Sequence, residues 1–154
     1  MPAPDLPLTG NALLVGVTDA MVAFHQRYHH RAPVTAKTLL LGDEMLICVL
    51  GGVYTDVEKT MIELQRSLIV QETRSAFQNA MQHRLIESVE HLSGRDVMTF
   101  ISNHHVGPDM EIALFILDSV ACNRSWSHRD PDSKRRARTA TETVAIPPIH
   151  ARVR

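Results

Sequence analysis

Histidine supplies the most suggestive chemistry in this chain. His25 and His29 stand four residues apart in the segment HQRYH, a spacing at which two imidazoles on one helix can share a metal ion. A glutamate after the first histidine would complete a zinc-protease pattern. Gln26 occupies that place and cannot act as a general base, so the pair reads as part of a solvated polar face. His83, Glu87 and His91 repeat the four-residue spacing and are suitable zinc ligands. No cysteine or further histidine is expected near them, and an exposed helix face with i,i+4 pairs accounts for the pattern. His104 and His105 precede a Gly-Pro turn; adjacent imidazoles suit metal binding or pH sensing, and ordinary loop polarity explains them as well.

Nucleophile signatures are missing. Neither a Gly-x-Ser-x-Gly elbow nor a phosphate-binding glycine loop occurs, and Cys48, inside an apolar run, reads as an inert buried thiol. We therefore expect no enzyme activity, no cofactor and no metal. One basic cluster stands out: Lys134, Arg135, Arg136 and Arg138, with Trp126 nearby as a candidate interfacial anchor. It could meet anionic headgroups, a partner protein or nucleic acid, or simply solubilise the chain.

The elements that would position these residues follow from periodicity. Thr9 is a candidate N-cap for a first helix, in which Leu13, Val17, Ala20, Met21, Phe24 and Tyr28 form one apolar stripe and which Pro33 ends. Val34 to Leu41 reads as a strand, Gly42-Asp43 as a tight hairpin turn with positive φ, and Met45 to Leu50 as a central strand buried on both faces. Gly51-Gly52 stops that strand. Thr55 and Glu58 have capping-box spacing at the start of the next helix. Val70, Thr73, Phe77, Met81, Leu85, Val89 and Leu92 then mark a long helix from Arg66 to Ser93, closed by Gly94. At 1.5 Å per residue that helix is about 42 Å long, longer than the ~35 Å diameter expected of so small a domain. It must break, project, or pack against a second subunit, and a homodimer is the favoured reading. Asp96 to Asn103 and Glu111 to Leu117 are the last two strands, joined by a turn at Val106-Gly107-Pro108-Asp109.

The element order is thus α-β-β-α-α-β-β. Neither hairpin has room for a crossover helix, so the fold is α+β, an antiparallel four-stranded sheet with helices on one face. Residues 1–9 form a flexible N-terminus, 10–118 the domain, and 119–154 a disordered tail rich in Arg, Ser and Pro. Charge divides at the same place: 8 Lys and Arg against 14 Asp and Glu through Asp118, then 8 against 3. The acidic body argues against nucleic acid as the partner. No apolar run approaches the ~20 residues of a transmembrane helix, and the opening MPAPDLPLTG, with three prolines and no basic residue, suggests no export signal.

Taken in order, these segments resemble the MpsC family. The resemblance rests on Tyr28, Arg31 and Pro33 after the first helix, the strands around Gly42-Asp43, the segment Gly52-Val53-x-Thr55-x-x-Glu58, a helix closing on Leu92-Ser93-Gly94, and a last strand ending Phe115-Ile116-Leu117-Asp118. In that family glycines flank the Arg before the Pro; here His30 and Ala32 do. The resemblance implies a non-enzymatic cytoplasmic accessory or regulatory protein, peripheral at the membrane, beside a complex that translocates cations or takes up inorganic carbon. It supplies no catalytic residues. The rival reading is a module that binds nucleic acid or anionic membranes through the basic tail.

Overall fold

In a computed structural model of the chain, the described part spans residues 7–119. Three helices and four strands follow in order: α1 (Gly10–Tyr28), β1 (Thr35–Leu41), β2 (Met45–Gly51), α2 (Asp56–Glu63), α3 (Ser67–Ser93), β3 (Val97–His105) and β4 (Met110–Leu117). The strands form one antiparallel sheet in the order β1-β2-β4-β3, so two hairpins meet edge to edge through β2 and β4. α1 and α3 pack on each other and on the sheet. The α+β architecture expected from the sequence is the one observed. The basic cluster at Lys134, Arg135, Arg136 and Arg138 and the neighbouring Trp126 lie outside the described residues.

The inner face of the sheet grades from apolar to charged. Its first row is Leu40, Leu46, Phe115 and Phe100; its second is Thr38, Cys48, Ala113 and Ser102; its third is Ala36, Leu50, Glu111 and His104. Over the first row the helices contribute Leu13, Val17, Leu85 and Val89, which join Leu46, Phe115 and Leu117 in one apolar core. In the second row Cys48 is fully buried, the place expected of it, and burial pushes its thiol pKa up. Thr38 in that row meets Thr18 of α1 through their hydroxyls, 2.7 Å apart.

Several local expectations are corrected. β2 is central, but only its inner residues Leu46, Cys48 and Leu50 are buried; no described element covers Met45, Ile47 and Val49 on the other face. The first hairpin turns through three residues, Gly42 to Glu44, and Gly42 is the one in the left-handed region. α1 stops at Tyr28, well before Pro33, where His30 turns left-handed at φ 53°. Thr9 sits at the N-cap position in extended backbone without a side-chain hydrogen bond. β3 runs on through His104 and His105, because both still pair with β4. α3 is unbroken over 27 residues and is buried at intervals from Val70 to Ser93. Its early buried positions are Val70, Arg74 and Gln78, whereas the expected Thr73 is exposed and Phe77 half-buried. The reason is that the sheet beneath this end of α3 is polar, so polar side chains find partners there.

Candidate functional site

The polar end of the inner face is built around two buried ion clusters. The first begins where the chain leaves β2. Gly52 has φ 67°, a region costly for side chains, and a Cβ there would lie 2.5 Å from the Val34 side chain. Asp109 holds this bend from across the sheet: its carboxylate accepts from the N–H groups of Val53 (2.8 Å) and Tyr54 (3.2 Å). Next comes the expected capping box. Glu58 N–H donates to Thr55 Oγ1 and Thr55 N–H to Glu58 Oε2, at 3.3 and 2.7 Å.

Glu58 also faces Arg74 of α3. Nε donates to Oε1 and Nη2 to Oε2, both at 2.7 Å, the forked geometry in which guanidinium and carboxylate match. Nη2 further donates to the Val53 carbonyl at 2.7 Å, and the guanidinium lies 4.9 Å from the centre of the Tyr54 ring. Arg74 is 2% exposed. Burial alone raises the Glu58 pKa, but hydrogen bonds from Arg74 and from Thr55 outweigh it and bring the group down to about 2. The Gly-Val-x-Thr-x-x-Glu segment is thus a bend, a buried carbonyl, a cap and an anchor for one arginine.

The second cluster centres on Glu111 of β4, 1% exposed. His25 Nε2 lies 2.8 Å and His104 Nε2 3.0 Å from the same carboxylate oxygen, Oε2. His25 Nδ1 lies 3.0 Å from the Met21 carbonyl, which can only accept. Both ring nitrogens of His25 thus face protein oxygens, one a backbone carbonyl and one the Glu111 carboxylate. Burial pushes the Glu111 pKa up; the hydrogen bonds from His104 and His25 outweigh it and hold the carboxyl well below the usual range. His29 joins these clusters from the next turn of α1, its ring 5.2 Å from His25 and 4.8 Å from Phe77. Burial, then Arg74, then His25 lower its pKa from 6.5 to about 4.

Five buried polar atoms here have no protein partner among the described residues: Tyr54 Oη, Arg74 Nη1, Gln78 Nε2, Ser102 Oγ and Glu111 Oε1. Gln78 and Ser102 also line a polar groove of about 260 Å³ between α3 and β3, together with His104.

The histidine readings divide. His83, Glu87 and His91 are exposed on α3, as expected. His25 is 1% exposed, so its reading as part of a solvated face is overturned. Both its ring nitrogens are committed to protein partners, which leaves none for a metal shared with His29. His104 is a strand residue turned inward, and His105, on the other face, is exposed. Among the described residues no group of three His, Cys, Asp or Glu is placed to hold a metal ion.

Glu111, Arg74, Gln78 and Tyr54 were missed, although the signal was present. His25 continues the steps of four through Leu13, Val17 and Met21; Arg74 and Gln78 continue those steps from Val70; Glu111 alternates inward with Ala113, Phe115 and Leu117. Charged side chains at core periods mark buried pairs when their partners stand on other elements.

No curated protein and no solved structure matches the chain. The model of one family does, that of the Na+-translocating membrane potential-generating system (MpsC), over residues 12–119. That span takes in both ion clusters, the groove and every described strand, and the chain belongs to the MpsC family.

Proposed function

We propose that the protein is a non-enzymatic accessory or regulatory subunit of a membrane cation-translocating system, placed on the cytoplasmic side and working as a homodimer. The observation that carries this reading is the outer face of the sheet. Leu41, Met45 and Ile116 form one row there, Leu39, Ile47, Leu114 and Ile101 the next, and Val49 and Ile112 part of a third. These residues are exposed or half-buried, and no described element lies over them. An antiparallel sheet with one solvated face ordinarily shows polar side chains outward; an aliphatic face this wide marks an interaction surface.

A second copy of the same face fits it best. The three rows carry one charge, Lys37, so the occupant must be nearly uncharged, and an isologous sheet-to-sheet contact meets that condition. The chain's own residues 119–154 hold 8 Lys and Arg and suit an aliphatic surface poorly. Family membership supports the membrane system as the setting, and no described helix is long and apolar enough to cross a membrane. The accessory reading is also favoured by the sealing of the acid–base groups, since neither His25 nor Glu111 is open to a substrate.

Light scattering on the full chain should give twice the 17.2 kDa chain mass. Ile112→Lys and Ile101→Asp should give monomers with unfolding transitions near that of the parent, because both positions are exposed in the single chain. A parent that stays monomeric at tens of micromolar overturns the dimer. Co-purification from native membranes should bring down a protein with several spans; recovery without any partner overturns the accessory role.

A further inference from the structure

The segment between α1 and β1 crosses the polar end of the fold as a lightly held strap. We propose that this strap, His29 to Pro33, is released by acid while the sheet and the helices stay folded. Both of its ends are fixed. One turn before it, His25 faces Glu111 and the Met21 carbonyl; just after it, the Val34 N–H donates to the Gly51 carbonyl at 2.8 Å. Between those anchors little binds it. The His29 N–H closes the helix on the His25 carbonyl, and Arg31 Nε donates to the Gly52 carbonyl at a long 3.4 Å. Arg31 Nη1 lies 3.7 Å from Asp56, whose side chain is 92% exposed, so that ion pair is weak. His30 and Ala32 are exposed, and His30 holds the left-handed φ of 53°, a conformation that a free strap gives up.

The His29 ring is what holds the strap down. It is half-buried against His25 and Phe77, and among the described residues it makes contacts with rings and no hydrogen bond. From α3 the Arg74 guanidinium, and from α1 the His25 imidazole, disfavour a charge on it; from β4 Glu111 and from α2 Glu58 favour one. Those two carboxylates are already engaged, Glu58 forked onto Arg74 and Glu111 shared by His25 and His104. Burial and the cations therefore win, and the folded ring binds its proton only near pH 4. Swung out into water, the same ring binds it near 6.5. A group that holds protons more tightly once released drives its own release as pH falls. The ratio of open to closed strap rises about ten-fold per pH unit between 6.5 and 4, roughly 300-fold in all. Release uncovers the faces of Phe77 and His25 and the bend at Gly52. What acid changes first is a surface.

The test is a titration from about pH 7 down to 4 of the full-length chain labelled with carbon-13 and nitrogen-15, following imidazole and amide signals. His29 should take up its proton well below pH 6.5. The amides of residues 29–33 and the Phe77 ring should shift with the same midpoint, while amides of residues 46–50 and 113–117, in β2 and β4, hold still. The movement should persist in His30→Asn, which removes the strap's other imidazole and keeps a residue that tolerates left-handed backbone. His29→Leu, apolar and without a titrating group, should leave residues 30–33 unshifted throughout. His29→Gln is the second variant should His29→Leu lose its cooperative unfolding. His29 titrating at 6.5 with no movement of Phe77 overturns the proposal, and so does movement of residues 29–33 only together with β2 and β4. The same movement in both His29 variants belongs to another group and also overturns it.

Discussion

At one end of the inner sheet face, Leu46, Phe115 and Phe100 meet Leu13, Val17, Leu85 and Val89; at the other, Glu111 and His104 meet His25, with Arg74 and Glu58 beside them. The same two helices and the same strands build both ends, and both are buried. The apolar end draws its stability from transfer out of water, which is non-directional and tolerant of exchange among aliphatic side chains. The polar end has to satisfy each charge by geometry, and loss of one partner strands the others. The difference teaches where this fold is sensitive: both ends weigh on stability, but only one responds to protons and to single-atom changes.

The largest expected effect separates the two ends directly. Glu111→Ala should cost about 3–5 kcal/mol in urea unfolding, because it takes away the buried carboxylate that both His25 and His104 face. A loss under ~1 kcal/mol, of the order of an exposed ion pair, would break the comparison. The combined replacement His25→Leu, Glu111→Leu and His104→Leu should return most of that loss, since an apolar set of similar size needs no pairing. If the triple variant is as unstable as the single one, packing and not charge governs this end.

Acid should act on the polar end alone. His29 binds its proton near pH 6.5 when unfolded and near 4 when folded, so between those values the unfolded chain holds more protons and stability falls as pH falls. Glu58, lowered from 4.5 to about 2, contributes stability that is present above 4.5 and lost on the way down to 2. Glu111, also lowered, acts in the same direction. Urea midpoints should therefore drop steadily from pH 6.5 downward, and His29→Leu should flatten the curve between 6.5 and 4. An unchanged slope in that variant would assign the acid sensitivity to other groups.

The smallest effect lies in the loop that carries the polar end of α1 toward β1. His30 adopts φ 53°, where a side chain costs roughly 1–2 kcal/mol and glycine almost nothing. Because glycine also loosens the unfolded chain, His30→Gly should gain only about 0.5 kcal/mol, read as a small rise in melting temperature. The left-handed backbone at His30 is one that glycine adopts freely. Ala32, the other departure, has no positive φ and needs none.

Most of the fold was legible because period and punctuation agree along the chain. The Thr55–Glu58 box, Gly94 at the end of α3 and both hairpins were local patterns, and local patterns are what a sequence displays. The site was not legible for a corresponding reason. Arg74 and Glu58 stand 16 positions apart and His25 and Glu111 stand 86 apart, so no window along the chain contains either pair in recognisable form. A histidine in the apolar stripe of α1 was assigned to solvent on residue type, although its spacing placed it in the core. The open outer face was hidden too, since strands aliphatic on both sides read the same whether a second layer covers them or not.

The strand order has a kinetic consequence. β1–β2 and β3–β4 close over turns of three and four residues, whereas the β2–β4 seam joins residues about 60 to 70 apart. Chain-closure entropy falls mainly on that seam, which makes it the slow event after two quick hairpins. Leu50 and Glu111 face each other across it, and His25 reaches Glu111 only once α1 settles over the joined sheet. The second ion cluster is then assembled after the rate-limiting step, and its worth appears in how slowly the folded chain comes apart. It acts as a latch on a closed seam, and removing Glu111 should quicken unfolding more than it delays folding.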